Sequence, residues 1–237
     1  MTRCTVLVST GRNPVTGRPR LPPEEAAAIS LAVRGGLEPR LLHAGSPDAA
    51  LALRRGLGLG SPALDILDVG VRGDPLAALI AHLQGDRPEI ILCGARAEAG
   101  ECSGMVPHRL GAALGRTVIT RCLDLSRDGA SWIVRTRMSG GTRRVLGLPP
   151  CGAVLTLATG AITATLGSRW DADRGTVTAW PVDAPDDPRH ARPARPSRRL
   201  PPPIAPPRDI AGGGRVLKDA GEGAEAILAL LDEIGLR

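Results

Sequence analysis

A buried strand, a glycine-bearing loop and an amphipathic helix, together spanning residues 88–114, constrain this chain more than any other stretch. The run Ile90-Ile91-Leu92-Cys93 is apolar at every position, as expected of a parallel strand covered on both faces. Gly94 and Gly100 permit backbone conformations that side chains forbid. Ser103 then precedes a helical pattern whose apolar residues share one face. Free backbone N–H groups and the positive end of the helix dipole would meet at this loop, so the stretch predicts an anion site.

The alternative for this stretch is a strand–loop–helix unit that binds nothing, as most such units in α/β proteins do. The loop contains no GxxxxGK[ST] motif and no GxGxxG motif. Those absences exclude a P-loop and the usual dinucleotide fingerprint. A nucleotide site at this loop would therefore depend on the particular side chains around it.

Strands and helices alternate through the first half of the chain. The patterns predict strands at 5–9, 39–44 and 64–69, and helices at 24–34, 46–56 and 74–85. This alternation predicts an α/β fold with a mostly parallel sheet and flanking helices. Ligands of such sheets bind beyond the carboxyl ends of the strands. We therefore expect the strand ends at Ser9, Ala44 and Gly94 to converge.

The pattern changes after residue 115. Segments 117–123, 131–138 and 142–146 have strand character, and Asp128-Gly129 and Gly140-Gly141 supply turns between them. These segments predict an antiparallel hairpin addition to the parallel sheet. One more apolar strand is expected at 152–157.

The last quarter of the chain differs in composition. Residues 181–207 contain ten prolines, which predicts an extended arm or linker rather than a packed layer. Residues 221–234 then form an amphipathic pattern that predicts a docking helix. The expected domains are an α/β domain at 1–180, a Pro/Arg-rich arm at 181–214 and a C-terminal helix at 215–237.

Charge and cysteine content narrow the function classes. The net charge is +6, and six arginines at 188–208 with no acid account for it, so the remainder is close to neutral and predicts no nucleic-acid surface. The five cysteines have no metal-binding spacing, and the chain begins without a signal-peptide pattern. A reduced, cytoplasmic setting is expected. The uncharged interval 146–168 contains prolines and glycines and predicts no membrane span.

The order of these parts resembles the β subunit of electron transfer flavoproteins over nearly the whole chain. The VLVS start, the helix after a proline-flanked loop and the strand before Gly45 fit that family. The stretch CGARAEAGECSGMVPHRLGAALG resembles the family's Gly-x-x-Ala loop, which leads through acidic residues to Thr-Gly-Gln and a helix ending in Leu-Gly. The stretch RMSGGTRRVLGLPPCGAVLTL resembles the family's Gly-Gly hairpin and the Leu-Pro before an apolar strand.

The resemblance implies an α/β domain of the adenine nucleotide alpha hydrolase-like type and an electron-carrier subunit without catalytic chemistry of its own. Such a subunit pairs with an α subunit that carries the redox FAD. It takes electrons from a flavin dehydrogenase and passes them to a membrane quinone oxidoreductase. The resemblance also implies a structural AMP. By position, the residues that it implies as AMP contacts are Ser9, Pro23, Ala44, Gly94, Ala95, Arg96, Ala97, Cys102, Ser103 and Gly104.

The chain departs from the family pattern at several points. Met105 stands where the family has Gln, and the loop before it contains fewer acidic residues. The family's aromatic contacts to the flavin ring have no counterpart, because the chain has no Phe and no Tyr. These departures leave two alternatives, a complex that retains AMP and one that does not.

A second function class is a stand-alone adenine-nucleotide-binding or sensing domain of the same fold. A hydrolase is a third class, but the four histidines are scattered and no Ser-His-Asp arrangement stands out. Purification of the chain with an α subunit would separate the electron carrier from the sensor.

Overall fold

The computed structural model describes residues 2–98, 100, 102–160, 162–188 and 217–235. Within them, a nine-stranded sheet has the order β11-β5-β4-β1-β6-β10-β7-β8-β9, and β2 and β3 form a separate hairpin. The strands are β1 (Cys4–Leu7), β2 (Gly11–Arg12), β3 (Pro19–Arg20), β4 (Pro39–Ala44), β5 (Ala63–Asp68), β6 (Ile90–Cys93), β7 (Thr117–Asp128), β8 (Ser131–Arg137), β9 (Arg143–Gly147), β10 (Ala153–Leu157) and β11 (Thr176–Pro181). The helices are α1 (Pro23–Arg34), α2 (Ala50–Leu53), α3 (Pro75–Asp86), α4 (Val106–Leu114), α5 (Arg169–Arg174) and α6 (Ala220–Glu233).

The parallel part of the sheet is buried on both faces, which confirms the predicted α/β architecture. Strand β1 lies between β4 and β6, with Val6 in register with both Leu41 and Leu92. Along β6, Leu92 belongs to the apolar cluster on the α1 face. The neighbouring Ile91 belongs to the cluster on the α3 and α4 face. Because successive side chains point to opposite faces, a strand buried on both sides must be apolar throughout.

The antiparallel addition is also present. Strand β7 pairs in parallel with β10 and antiparallel with β8, and β9 closes the edge beyond β8. Strand β7 extends to Asp128, five residues past its predicted end, and its register shifts near Cys122. Such a bulge lets one strand serve partners of opposite direction while it bends.

The predicted helix at 46–56 is wrong. Residues 47–49 and 54–59 form 3-10 turns that flank the short helix α2. Glycines in the sequence RGLGLG weaken an α-helix, and they also permit close packing. A Cβ on Gly56 would lie 3.0 Å from the Ile29 side chain, so this turn sits directly on the core. Helix α5, which the sequence did not predict, packs against the turn, and Ser168 N donates to Gly58 O at 2.8 Å.

The sheet continues past the predicted domain boundary at residue 180. Strand β11 was not predicted, and it pairs in parallel with β5 through Pro181. Beyond it, Val182 N donates to Asp68 O at 2.9 Å, and Asp187 N donates to Arg72 O at 2.7 Å. Residues 181–188 therefore belong to the α/β domain rather than to an arm, because backbone hydrogen bonds hold proline-rich sequence to a sheet edge. The rest of the predicted arm, at 189–214, falls among residues that the structure does not describe.

Helix α6 forms within the predicted C-terminal segment and is described by itself. Asp219 caps it by accepting hydrogen bonds from Gly221 N and Glu222 N. Among the described residues, no helix is long and apolar enough to cross a membrane.

Candidate functional site: the cleft at the carboxyl ends of the strands

The predicted strand ends converge on one cleft with a volume of about 590 Å³. It opens where β1, β4 and β6 end, the position at which open α/β sheets bind ligands. Pro23 lies outside it, exposed in the first turn of α1. The other predicted site residues all line the cleft: Ser9, Ala44, Gly94, Ala95, Arg96, Ala97, Cys102, Ser103 and Gly104.

Two carboxylates of α1 occupy backbone donors in this cleft. Ser9 N donates to Glu25 Oε2 and Ser9 Oγ donates to Glu25 Oε1, each at 2.5 Å. Ala95 N donates to Glu24 Oε2 at 3.0 Å. Both glutamates stand at the start of the helix predicted at 24–34, but their contact with the cleft was not predicted. The contact depends on α1 packing beneath the strand ends, which local sequence does not specify.

Glu25 is nearly inaccessible, with 4% of its surface exposed. Burial raises its pKa, the hydrogen bonds from Ser9 lower it, and the neighbouring Glu98 and Glu24 raise it; the net effect is a rise from 4.5 to about 8. Burial dominates because removing a carboxylate from water disfavours its charged form. A neutral Glu25 at physiological pH is compatible with this buried position.

The loop from Gly94 to Gly104 (the 94–104 loop) forms one wall of the cleft. Gly104 has φ +71°, and a Cβ there would lie 3.0 Å from Ala95 O. Helix α4 begins at Val106, three residues after Ser103, where the helical pattern beyond Ser103 predicted it. Ser103 Oγ accepts a hydrogen bond from Met105 N at 3.3 Å, which stabilises the turn that leads into α4.

His43 supplies a neutral acceptor to the cleft. Its Nδ1 lies 2.9 Å from Val8 O, and burial lowers the pKa of the imidazole. Because a carbonyl oxygen only accepts, Nδ1 carries the proton and Nε2 is left as an acceptor. Nε2 faces Gly45, where a Cβ would approach it to 2.7 Å. Sequence analysis noted His43 only as one of four scattered histidines.

The lining of the cleft also carries positive charge. Arg96 in the 94–104 loop and Arg109 on α4 both line it and are exposed. The N-terminus of α4 lines the cleft through Val106 and Pro107. The lining therefore combines two guanidinium groups and a neutral imidazole with several carboxyl groups, which belong to Glu25, Asp48, Asp74 and Asp187.

Two buried cysteines, Cys93 at the cleft and Cys122 on β7, are unsuited to redox or nucleophilic chemistry. Burial raises the pKa of the Cys93 thiol, whose Sγ donates to Leu155 O at 3.4 Å. Burial likewise raises the pKa of Cys122 to about 12. A buried, protonated thiol behaves as a small apolar group.

Comparison with known proteins assigns the chain to a family. The family model described as "Electron transfer flavoprotein domain" matches residues 20–185. The electron transfer flavoprotein subunit beta of Chromohalobacter salexigens is 34% identical over an alignment that covers 98% of this chain and 95% of that protein. The chain belongs to the electron transfer flavoprotein family. Within that family it corresponds to the β subunit, an electron-carrier subunit rather than an enzyme.

Proposed function

We propose that this β subunit pairs with an α subunit that carries FAD, and that the pair transfers electrons from a flavin dehydrogenase to a quinone oxidoreductase of the respiratory chain. Similarity to a β subunit along 98% of the chain supports this proposal. The single structural observation that carries it is the cleft where β1, β4 and β6 end, framed by the 94–104 loop. The bound FAD supplies the one- and two-electron chemistry of flavins, and this chain contributes binding surface.

We further propose that the cleft holds AMP, and the described residues fit such a ligand. A volume of about 590 Å³ lies within the usual range for small-molecule sites. The phosphate is excluded from the β1 end, because Glu25 already accepts from Ser9 and Glu24 already accepts from Ala95 N. It is attracted to the α4 end, where Arg96 and Arg109 provide charge-assisted donors.

Two acceptors near the ends of β1 and β4 suit the nucleoside part of AMP. At the β1 and β4 end, His43 Nε2 and the Glu25 carboxyl group can accept hydrogen bonds from ribose hydroxyls or an exocyclic amine. A neutral base is compatible with buried surroundings, whereas a phosphate dianion beside Glu24 and Glu25 is not. AMP then serves a structural role by filling the space between the strand ends and the 94–104 loop.

Coexpression with the α subunit encoded by the same genome tests the pairing. We expect a yellow complex with one copy of each chain in size-exclusion chromatography, because flavin absorbance travels with the partner. A colourless monomer that binds ATP or AMP would contradict the pairing and would favour the stand-alone nucleotide sensor. Nucleotide analysis of the denatured complex tests AMP separately, so that a yellow complex without AMP would remove only the nucleotide proposal.

A further inference from the structure

A second concave site lies on the other side of the 94–104 loop. This pocket of about 380 Å³ shares Ala95 and Gly104 with the cleft and opens near the carboxyl end of β10. Its polar lining combines two guanidinium groups, one imidazole and three hydroxyl groups, and we call it the arginine pocket. These residues are His108, Thr120, Arg121, Arg137, Thr156 and Thr159.

The charges of the arginine pocket are not balanced. Among the described residues, no carboxylate lines it, and neither Arg121 nor Arg137 forms an ion pair. The only hydrogen bond from the Arg137 guanidinium to a described residue runs from Nη1 to Thr159 O at 3.5 Å. By contrast, Arg135, two residues earlier on β8, pairs with Asp124 at 2.6 Å. Arg135 on β8 therefore has a carboxylate partner within the sheet, whereas Arg137 has none among the described residues.

Strand pairing concentrates more positive charge beside the pocket. Arg137 on β8 lies directly opposite Arg143 on β9 in the antiparallel register. Like charges at directly opposed positions are unfavourable. An anion bound between strand and helix would relieve that repulsion, since it would neutralise the guanidinium groups together.

The backbone at Arg121 is specialised as well. Arg121 has φ 59°, a left-handed conformation that is costly for a residue with a Cβ. It stands next to Cys122, where the registers of β7 with both β8 and β10 shift. Bulges of this kind re-aim side chains near binding sites, and here the strained residue belongs to the lining of the pocket.

We propose that the arginine pocket binds a phosphate group. Two guanidinium groups and an imidazole match the charge and the several acceptor oxygens of a phosphate. Thr156, only 4% exposed, adds a hydroxyl donor at the base of the pocket. A concave pocket of this size favours a small ligand over an acidic protein surface, which would need a broad, flat patch. The phosphate can come from free inorganic phosphate or from a phosphorylated small molecule, and the binding does not depend on AMP in the cleft.

Calorimetric titration of the full-length chain, in whatever complex it purifies, tests the proposal with inorganic phosphate at fixed ionic strength. We expect saturable binding that Arg137→Gln and Arg121→Gln each weaken by about tenfold or more. Arg144→Gln is the matched control, because Arg144 neighbours Arg143 on β9 but lies on the opposite face of the sheet. It should change phosphate affinity less than about twofold. Thermal unfolding of each variant verifies that it is folded.

Titration with AMP as well as inorganic phosphate identifies the source of the bound phosphate. If AMP also loses affinity in Arg137→Gln, the phosphate of a nucleotide occupies the pocket. If only inorganic phosphate loses affinity, the pocket and the cleft bind their ligands independently. Both results support phosphate binding. Failure of phosphate to bind, equal losses in Arg137→Gln and Arg144→Gln, or saturable binding of a glutamate-rich peptide with none for phosphate would overturn the proposal. AMP binding in the cleft could fail while phosphate still binds, which distinguishes the two proposals.

Discussion

The cleft and the arginine pocket both border the 94–104 loop and share Ala95 and Gly104. They differ in whether carboxylates of the chain accept hydrogen bonds from the donors that line them. In the cleft, glutamates of α1 occupy the N–H groups of Ser9 and Ala95. In the described lining of the pocket, no carboxylate opposes the cations. The comparison shows that strand ends and loop amides alone do not define an anion site. The chain's own carboxylates decide which end of each site remains available.

The largest effect should come from Gly104, one of the two residues that both sites share. Replacing Gly104 with alanine places a side chain at φ +71° and 3.0 Å from Ala95 O, so the 94–104 loop must shift. We expect Gly104→Ala to weaken AMP and inorganic phosphate each by about tenfold or more and to lower the free energy of unfolding by about 1 kcal/mol or more. Calorimetry and urea denaturation measure the two quantities.

Gly140→Ala is the matched control for that substitution. Gly140 has φ +70°, but a Cβ there meets nothing within 4 Å. It should therefore show the stability loss of a left-handed alanine without any loss of ligand binding. Unchanged ligand affinity in Gly104→Ala would show that the loop does not form the wall between two binding sites.

The buried Glu25 predicts how the free energy of unfolding depends on pH. Since the pKa of Glu25 rises from 4.5 to about 8 on folding, the folded state holds an extra proton between those values. The free energy of unfolding should therefore fall as pH rises through that window and change no further above it. Glu25→Gln, which keeps the shape and the partners of the side chain, should remove this decline. Urea denaturation across the window measures it.

The result for Glu25 has a clear contrary outcome. If wild type and Glu25→Gln show parallel pH profiles, Glu25 is charged in the folded state, and the proposal that a neutral Glu25 contacts the nucleoside fails. Glu38→Gln, at an exposed position outside the cleft, controls for the general loss of a negative charge.

Replacing Arg109, one of the two arginines that line the cleft, should have a smaller effect on AMP affinity. Arg109→Gln removes one charge-assisted partner from the proposed AMP phosphate and should weaken AMP by about fivefold to tenfold. Adenosine, which lacks the phosphate, should bind both proteins equally. Equal losses for AMP and adenosine would mean that Arg109 acts on the shape of the cleft rather than on the phosphate. Inorganic phosphate binding to the arginine pocket should be unchanged.

The smallest effect concerns Arg135, the arginine on β8 that forms an ion pair. Asp124 and Arg135 are both about half exposed and form an ion pair at 2.6 Å. Exposed pairs contribute little, so Asp124→Asn should cost less than about 1 kcal/mol in urea denaturation. The freed Arg135 should strengthen phosphate binding less than about threefold. A larger gain would show that the balance of charge along β8, rather than the pocket's own lining, sets phosphate affinity.

The sequence predicted those parts of the fold in which the local hydrophobic pattern indicates how the residues are buried. An apolar run such as Ile90-Ile91-Leu92-Cys93 has only one stable setting, a strand covered on both faces, and the convergence of Ser9, Ala44 and Gly94 follows from parallel pairing. Strand β11 was not predicted from the sequence because four of its six residues are exposed, none is buried, and a proline ends it. Its pairing with β5 is a long-range event that local pattern does not encode.

The sequence predicted which strand ends share a cleft, but not the charges around it. The residues implied by family resemblance, apart from Pro23, do line the cleft. The caps on Ser9 and Ala95 depend on which turn of α1 faces the strand ends, and that is a tertiary fact. The opposition of Arg137 and Arg143 likewise needs the register of β8 and β9, because a one-residue slip would separate the two side chains.

The ratio of AMP to FAD released from the purified complex tests the central claim most directly. The complex of this β subunit with its α subunit should release the two nucleotides in equal amounts on denaturation. The same complex carrying Gly104→Ala should keep its FAD and lose most of its AMP. A wild-type complex that releases FAD without AMP, or a Gly104→Ala complex that retains both, would contradict the assignment of the cleft to a nucleotide.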